Sequence, residues 1–162
     1  MEWEKIAIES CSGAEVPLQT LSKAGISIFI VPKKFSVSVK DAIKECRMKA
    51  AQAFNIKFDA ETDKSKRKEM AIDSVIAGKT DIAETTRMER EIERLMFLGG
   101  VLRHGFVDPA GNLEKWDEAL LKRLRELPVI LDEVMKIIKD YNDENSFGDA
   151  EEEEKKSAKS PT

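Results

Sequence analysis

From Asp81 to Tyr141 the apolar residues fall at helical spacing almost without a break. Met88, Ile92, Leu95, Met96, Gly99 and Leu102 recur in steps of three and four, the mark of one buried helical face. Asp81 with Glu84 forms a capping-box-like pair that opens this helix. Gly99-Gly100 interrupts the stripe. Each glycine costs roughly 1 kcal/mol in a helix interior, so the pair predicts a bend or the close approach of another element. Gly105 is expected to end the helix as a left-handed cap. The segment Phe106-Val107-Asp108-Pro109-Ala110-Gly111-Asn112 then reads as a tight turn, making the flanking helices antiparallel neighbours. A second helix is predicted over Leu113–Leu127 from Trp116, Leu120, Leu121, Leu124 and Leu127. Pro128 ends or kinks it and suits the first turn of a third helix, whose face is Ile130, Val134, Ile137, Ile138 and Tyr141. Each such Leu or Ile contributes roughly 1.5–3 kcal/mol when buried.

Upstream the pattern is mixed. Glu4–Ser10 alternates and predicts a short strand, and Ser12-Gly13-Ala14-Glu15 a turn. Val16–Leu21 can pair back, with Pro17 restricting it to an edge. Ile26–Val31 is the strongest strand candidate. It could also begin a helix, but three isoleucines, a valine and a following proline favour the strand. Ser38, with Asp41 three positions on, is read as the cap of a helix carrying Val39, Ala42, Ile43, Cys46, Ala50, Ala53 and Phe54 on one face. Asn55–Asp63 reads as a loop, and Lys64–Ala77 as a helix capped by Gly78. The expected fold is mainly α: a small N-terminal β hairpin or sheet (residues 1–37) packed on a bundle of about five helices (residues 38–141). Beyond Tyr141 the periodicity stops, and residues 142–162, with Glu151-Glu152-Glu153-Glu154, are expected to form a disordered acidic tail.

Charge refines this picture. Seven acids and three lysines lie in residues 142–162, a net of −4, leaving 24 residues of each sign in the other 141. A balanced body with only 6% aromatic residues does not read as a nucleic-acid surface, stacking or otherwise. It is also poor at repelling copies of itself, which leaves homo-oligomers open. The absence of a long apolar run, and acidic Met1-Glu2-Trp3-Glu4 in place of a basic leader, point to a cytoplasmic protein without a membrane partner.

Candidate chemistry is sparse. Cys11, Cys46 and His104 do not have metal-ligand spacing. Cys46 reads as a small buried hydrophobe, and His104 as a residue at a helix end. No glycine-rich phosphate loop, His-x-x-x-His pair or Cys/His nucleophile arrangement is present, so neither enzyme chemistry nor a cofactor is expected. Lys64-Ser65-Lys66-Arg67-Lys68 is a basic cluster. It reads either as a site for an acidic partner or phosphate, or as an exposed, frayed first turn.

Several short motifs occur in a suggestive order. Ser12-Gly13-Ala14-Glu15-Val16 and Leu21-Ser22 precede an all-helical middle. Glu126-Leu127-Pro128 opens the last amphipathic helix, and Glu154-Lys155-Lys156-Ser157 lies in the acidic tail. In this order the chain resembles the tail assembly chaperones of long-tailed bacteriophages. The resemblance implies a protein of the host cytoplasm that associates with the tape measure protein and the tail tube protein while the tail polymerises, and that is absent from the mature virion. In that family a translational frameshift near the end of the gene often makes a longer form. A chaperone for a long helical partner needs apolar grooves between helices. The stripes carrying Ile92, Leu95, Met96 and Leu102, then Trp116, and then Ile130, Val134, Ile137 and Tyr141 are the candidate partner-binding residues; the plainer reading of each is that it is core. The alternatives are a structural or connector subunit of a virion and, further off, a nucleic-acid-binding regulator using Lys64–Lys68 with Lys33-Lys34.

Overall fold

The computed structural model describes residue 3 and residues 12–53, 63–78 and 80–144. The strand expected over Glu4–Ser10, the Asn55–Asp63 loop except Asp63, and residues 145–162 of the expected tail lie outside them. In chain order the elements are β1 (Val16–Pro17), α1 (Gln19–Lys23), β2 (Phe29–Pro32), α2 (Val37–Ala53), α3 (Lys64–Ile76), α4 (Ile82–Gly99), β3 (Val101–His104), α5 (Glu118–Arg125) and α6 (Pro128–Glu144). The fold is mainly helical with one small antiparallel sheet, as the patterning predicts. The chain divides into two units, each built from separate segments, with the division falling inside α5.

The first unit comprises residues 1–34, 100–114 and 124–162. Its sheet has the order β1-β2-β3, antiparallel throughout. Val16 pairs with Ile30 and Pro17 with Phe29. On the other side Ile30 pairs with His104, Val31 with Arg103 and Pro32 with Val101, with an irregularity between Val31 and Pro32. Pro17 is on an edge strand, where its missing N–H is tolerated. Leu18, which follows it, donates its N–H to the Ile28 carbonyl at 2.9 Å.

β3 corrects the sequence reading. Helical spacing carries the stripe on to Leu102, yet α4 stops at Gly99 and Val101–His104 joins the sheet. Over four residues a buried–half-buried–exposed–buried run does not distinguish helix from strand, and pairing with β2 decides it. The short α1 takes up the last three residues of Val16–Leu21, which the sequence assigns to a hairpin partner, and runs on to Lys23. Its Thr20 N–H lies 3.2 Å from both Glu133 carboxylate oxygens on α6. Helix α6 packs on β2 and α1. Asn142 near its end donates to the Lys33 and Ile138 carbonyls at 3.1 and 3.0 Å. The three residues 142–144 thus complete a helix rather than begin the tail.

Between β3 and α5 the predicted turn forms. Asp108 Oδ1 accepts from Ala110 N–H and Asn112 N–H, both at 2.9 Å, and Gly111 takes a φ of 83° that side chains disfavour. Val107 bridges to Leu113, so Leu113 belongs to this loop and not to a helix.

The second unit, residues 35–99 and 115–123, is organised by α2 packed on α4. Helix α2 opens two residues earlier than Ser38 predicts: Ser36 Oγ accepts from Val39 N–H at 3.3 Å. Its face buries Ile43 and Cys46. Helix α4 opens as predicted, with Asp81 Oδ1 accepting from Glu84 N–H at 3.0 Å, and buries Met88, Met96 and Phe97. The close approach expected at the glycine pair is present. A Cβ on Gly99 would stand 3.0 and 3.1 Å from the two methyl carbons of Val39. Helix α5 begins five residues later than expected, with Asp117 Oδ1 accepting from Leu120 N–H at 3.0 Å.

Candidate interaction surface

The nine candidate residues divide between the units. Ile92, Leu95, Met96 and Trp116 fall in the second unit, whereas Leu102, Ile130, Val134, Ile137 and Tyr141 fall in the first. None of the nine is exposed. Met96 and Val134 are core residues, the latter fully enclosed. Tyr141 is half-buried with its ring against Gly13, where an added Cβ would come within 3.0 Å of the ring.

Trp116 lies ahead of α5 and closes the end of α4. Phe97 is among the last four residues of α4, so its carbonyl has no partner within the helix. The Trp116 indole N–H donates to that carbonyl at 2.7 Å. The indole also stacks on the Phe97 ring, centroids 4.2 Å apart and planes 15° apart. Beside it, Arg94 donates to Glu91 at 2.9 Å and to Glu118 on α5 at 2.5 Å. The Glu118 bond raises the Arg94 pKa further, so the guanidinium stays charged throughout the working pH range.

The two buried titratable residues among those described, Cys46 and His104, are both held toward their neutral forms. Burial, reinforced by the Glu91 carboxylate, pushes the Cys46 thiol up and away from the reactive thiolate. His104 is a β3 residue and not a helix cap. Its Nδ1 accepts from Phe106 N–H at 3.1 Å, and burial pulls its pKa below the ordinary value, so the ring is neutral. Among the described residues no group of three or more His, Cys, Asp or Glu could hold a metal ion, and no helix is long and apolar enough to cross a membrane.

The exposed apolar side chains of the second unit lie on other positions, most densely on α3. Ile72, Val75 and Ile76 are 50, 45 and 79% exposed. Only Ser74 on this helix is buried, and its hydroxyl bonds that of Thr80 at 2.7 Å. Asp63 caps the helix by accepting from Lys66 N–H at 2.7 Å. In sequence, α3 stands out only for its basic start. Its apolar residues Met70, Ala71, Ile72, Val75 and Ile76 spread around the helix, so spacing did not reveal which of them face solvent. Comparison of the chain with protein-family models, with curated proteins and with solved structures finds no match.

Proposed function

We propose that the protein is an assembly factor of the phage tail chaperone kind, one that holds the tape measure or tail tube protein in the host cytoplasm until the tail is built. The observation that carries the reading is the order of short motifs: Ser12–Val16 and Leu21-Ser22, a helical middle, Glu126-Leu127-Pro128 and the acidic Glu154-Lys155-Lys156-Ser157 segment. Two physical features agree with it. Pro128 of the Glu-Leu-Pro motif is the first residue of α6. A mainly helical body with exposed branched aliphatics on α3 suits a protein whose work is to cover another chain's apolar helices.

The test is co-expression of the tagged protein with a tape measure protein and, separately, with a tail tube protein. The reading predicts co-purification and a rise in that partner's soluble fraction. A partner equally soluble alone, together with a ring-shaped oligomer of this chain, would favour a connector subunit instead.

A further inference from the structure

We infer that the outward face of α3 is a docking surface for an acidic amphipathic protein segment. Successive residues of a helix turn by about 100°, so Lys64, Lys68, Ile72, Val75 and Ile76 fall within one arc of about 120°. All five are exposed. Buried Ser74 and half-buried Met70 lie on the opposite side of the helix; exposure continues beyond the arc at Lys66, Arg67, Glu69 and Asp73, but all of the helix's exposed branched aliphatics lie within it. Along it the character changes in one step, from two lysines at the start of the helix to three branched aliphatics at its end.

Charge selects the occupant. Lys64, Lys66 and Lys68 have no ion-pair partner among the described residues, so no described carboxylate neutralises the basic end of this helix. Acidic Glu69 and Asp73 lie beyond the far edge of the arc, on the side that also carries Lys66 and turned away from Lys64 and Lys68. A segment that carries carboxylates opposite Lys64 and Lys68, and apolar side chains opposite Ile72, Val75 and Ile76, neutralises the one and covers the other in a single register. A second copy of α3 would set lysines or aliphatics where carboxylates are needed. The inference goes beyond the assembly role and stands without it, because it rests on this helix alone.

The experiment uses the full chain and two fluorescent helical peptides with the same leucine stripe. One carries glutamates beside the stripe, the other lysines at the same positions. Anisotropy should show the glutamate peptide binding at least roughly tenfold tighter than the lysine peptide, a difference that added salt reduces. Ile76→Asp, and separately the pair Lys64→Glu with Lys68→Glu, should each weaken glutamate-peptide binding by roughly tenfold or more, with circular dichroism unchanged. The double variant should also gain affinity for the lysine peptide. Equal binding of the two peptides overturns the inference. So does binding to phosphatidylserine vesicles with none to the glutamate peptide, or self-association that Ile76→Asp abolishes while peptide binding is absent.

Discussion

Trp116 offers the sharpest test of how the second unit is held together, because one conservative change and one truncation separate its two contacts. Trp116→Phe keeps a ring to stack on Phe97 but loses the indole N–H, leaving the Phe97 carbonyl without its 2.7 Å donor. The bond itself is worth about 0.5–1.5 kcal/mol net, and a partly enclosed carbonyl left without a donor adds to the loss. The expected cost is about 1–2 kcal/mol. Trp116→Ala also removes the stack, worth about 0.5–1.5 kcal/mol beyond area. It further removes the apolar burial of a large ring. Full truncation of a core aromatic costs about 3–5 kcal/mol, and Trp116 is half-buried, so about 2–4 kcal/mol is expected. Urea unfolding followed by far-ultraviolet circular dichroism measures both variants without relying on the lost fluorophore. If Trp116→Phe matches the parent protein, the hydrogen bond has no net value. If Trp116→Ala also lies within about 0.5 kcal/mol of the parent, the role of this residue as the closure of α4 is refuted.

Three further outcomes follow from the same geometry. Gly99→Ala gains some helix propensity but drives a methyl into Val39, whose branched side chain has little rotameric freedom in a helix. A net loss of about 1–2 kcal/mol in urea unfolding is expected, largely relieved when Val39→Ala is combined with it; a stabilised Gly99→Ala would contradict the close approach. Asp81→Ala removes the cap of α4 and should cost about 1 kcal/mol, a fall of roughly 2–4 °C in thermal midpoint, with Asp81→Ser retaining most of the stability. For His104 the folded pKa is lowered, first by burial, with a hydrogen bond to the Glu114 backbone partly opposing. Its stabilising contribution is therefore complete above the unfolded value of about 6.5 and is lost as pH falls through the lower folded value. The urea midpoint should decline below about pH 6.5 in the parent, and that part of the decline should disappear in His104→Phe.

Local chemistry made several elements legible in the sequence. Asp81 capping Glu84, the Asp108–Gly111 turn and Pro128 at the first position of α6 each depend on residues within one turn of each other, and each forms as read. Two elements resisted for a common reason. Val101–His104 has a helical continuation in sequence but a pairing partner about seventy residues earlier in β2, and only the folded chain brings the two together. Leu113 fits the stripe of a following helix, yet the bridge to Val107 holds it in the loop and α5 waits for the Asp117 cap. The candidate surface was the least legible part. The most regular stripes, those of α4 and α6, are regular because they fill an interior. On α3 the exposed Ile72, Val75 and Ile76 share one face, but half-buried Met70 and Ala71 make another face apolar too, so spacing alone does not tell the outward side from the inward one.

In the proposed role this protein holds another chain during assembly and then departs. Quantitative mass spectrometry of infected-cell lysate alongside purified virions tests it most directly. A holding factor is abundant in the lysate, in complex with the tape measure or tail tube protein, and absent from the finished particles. Recovery in purified virions at a fixed ratio to the tail tube protein would contradict the account and mark the chain as a permanent component.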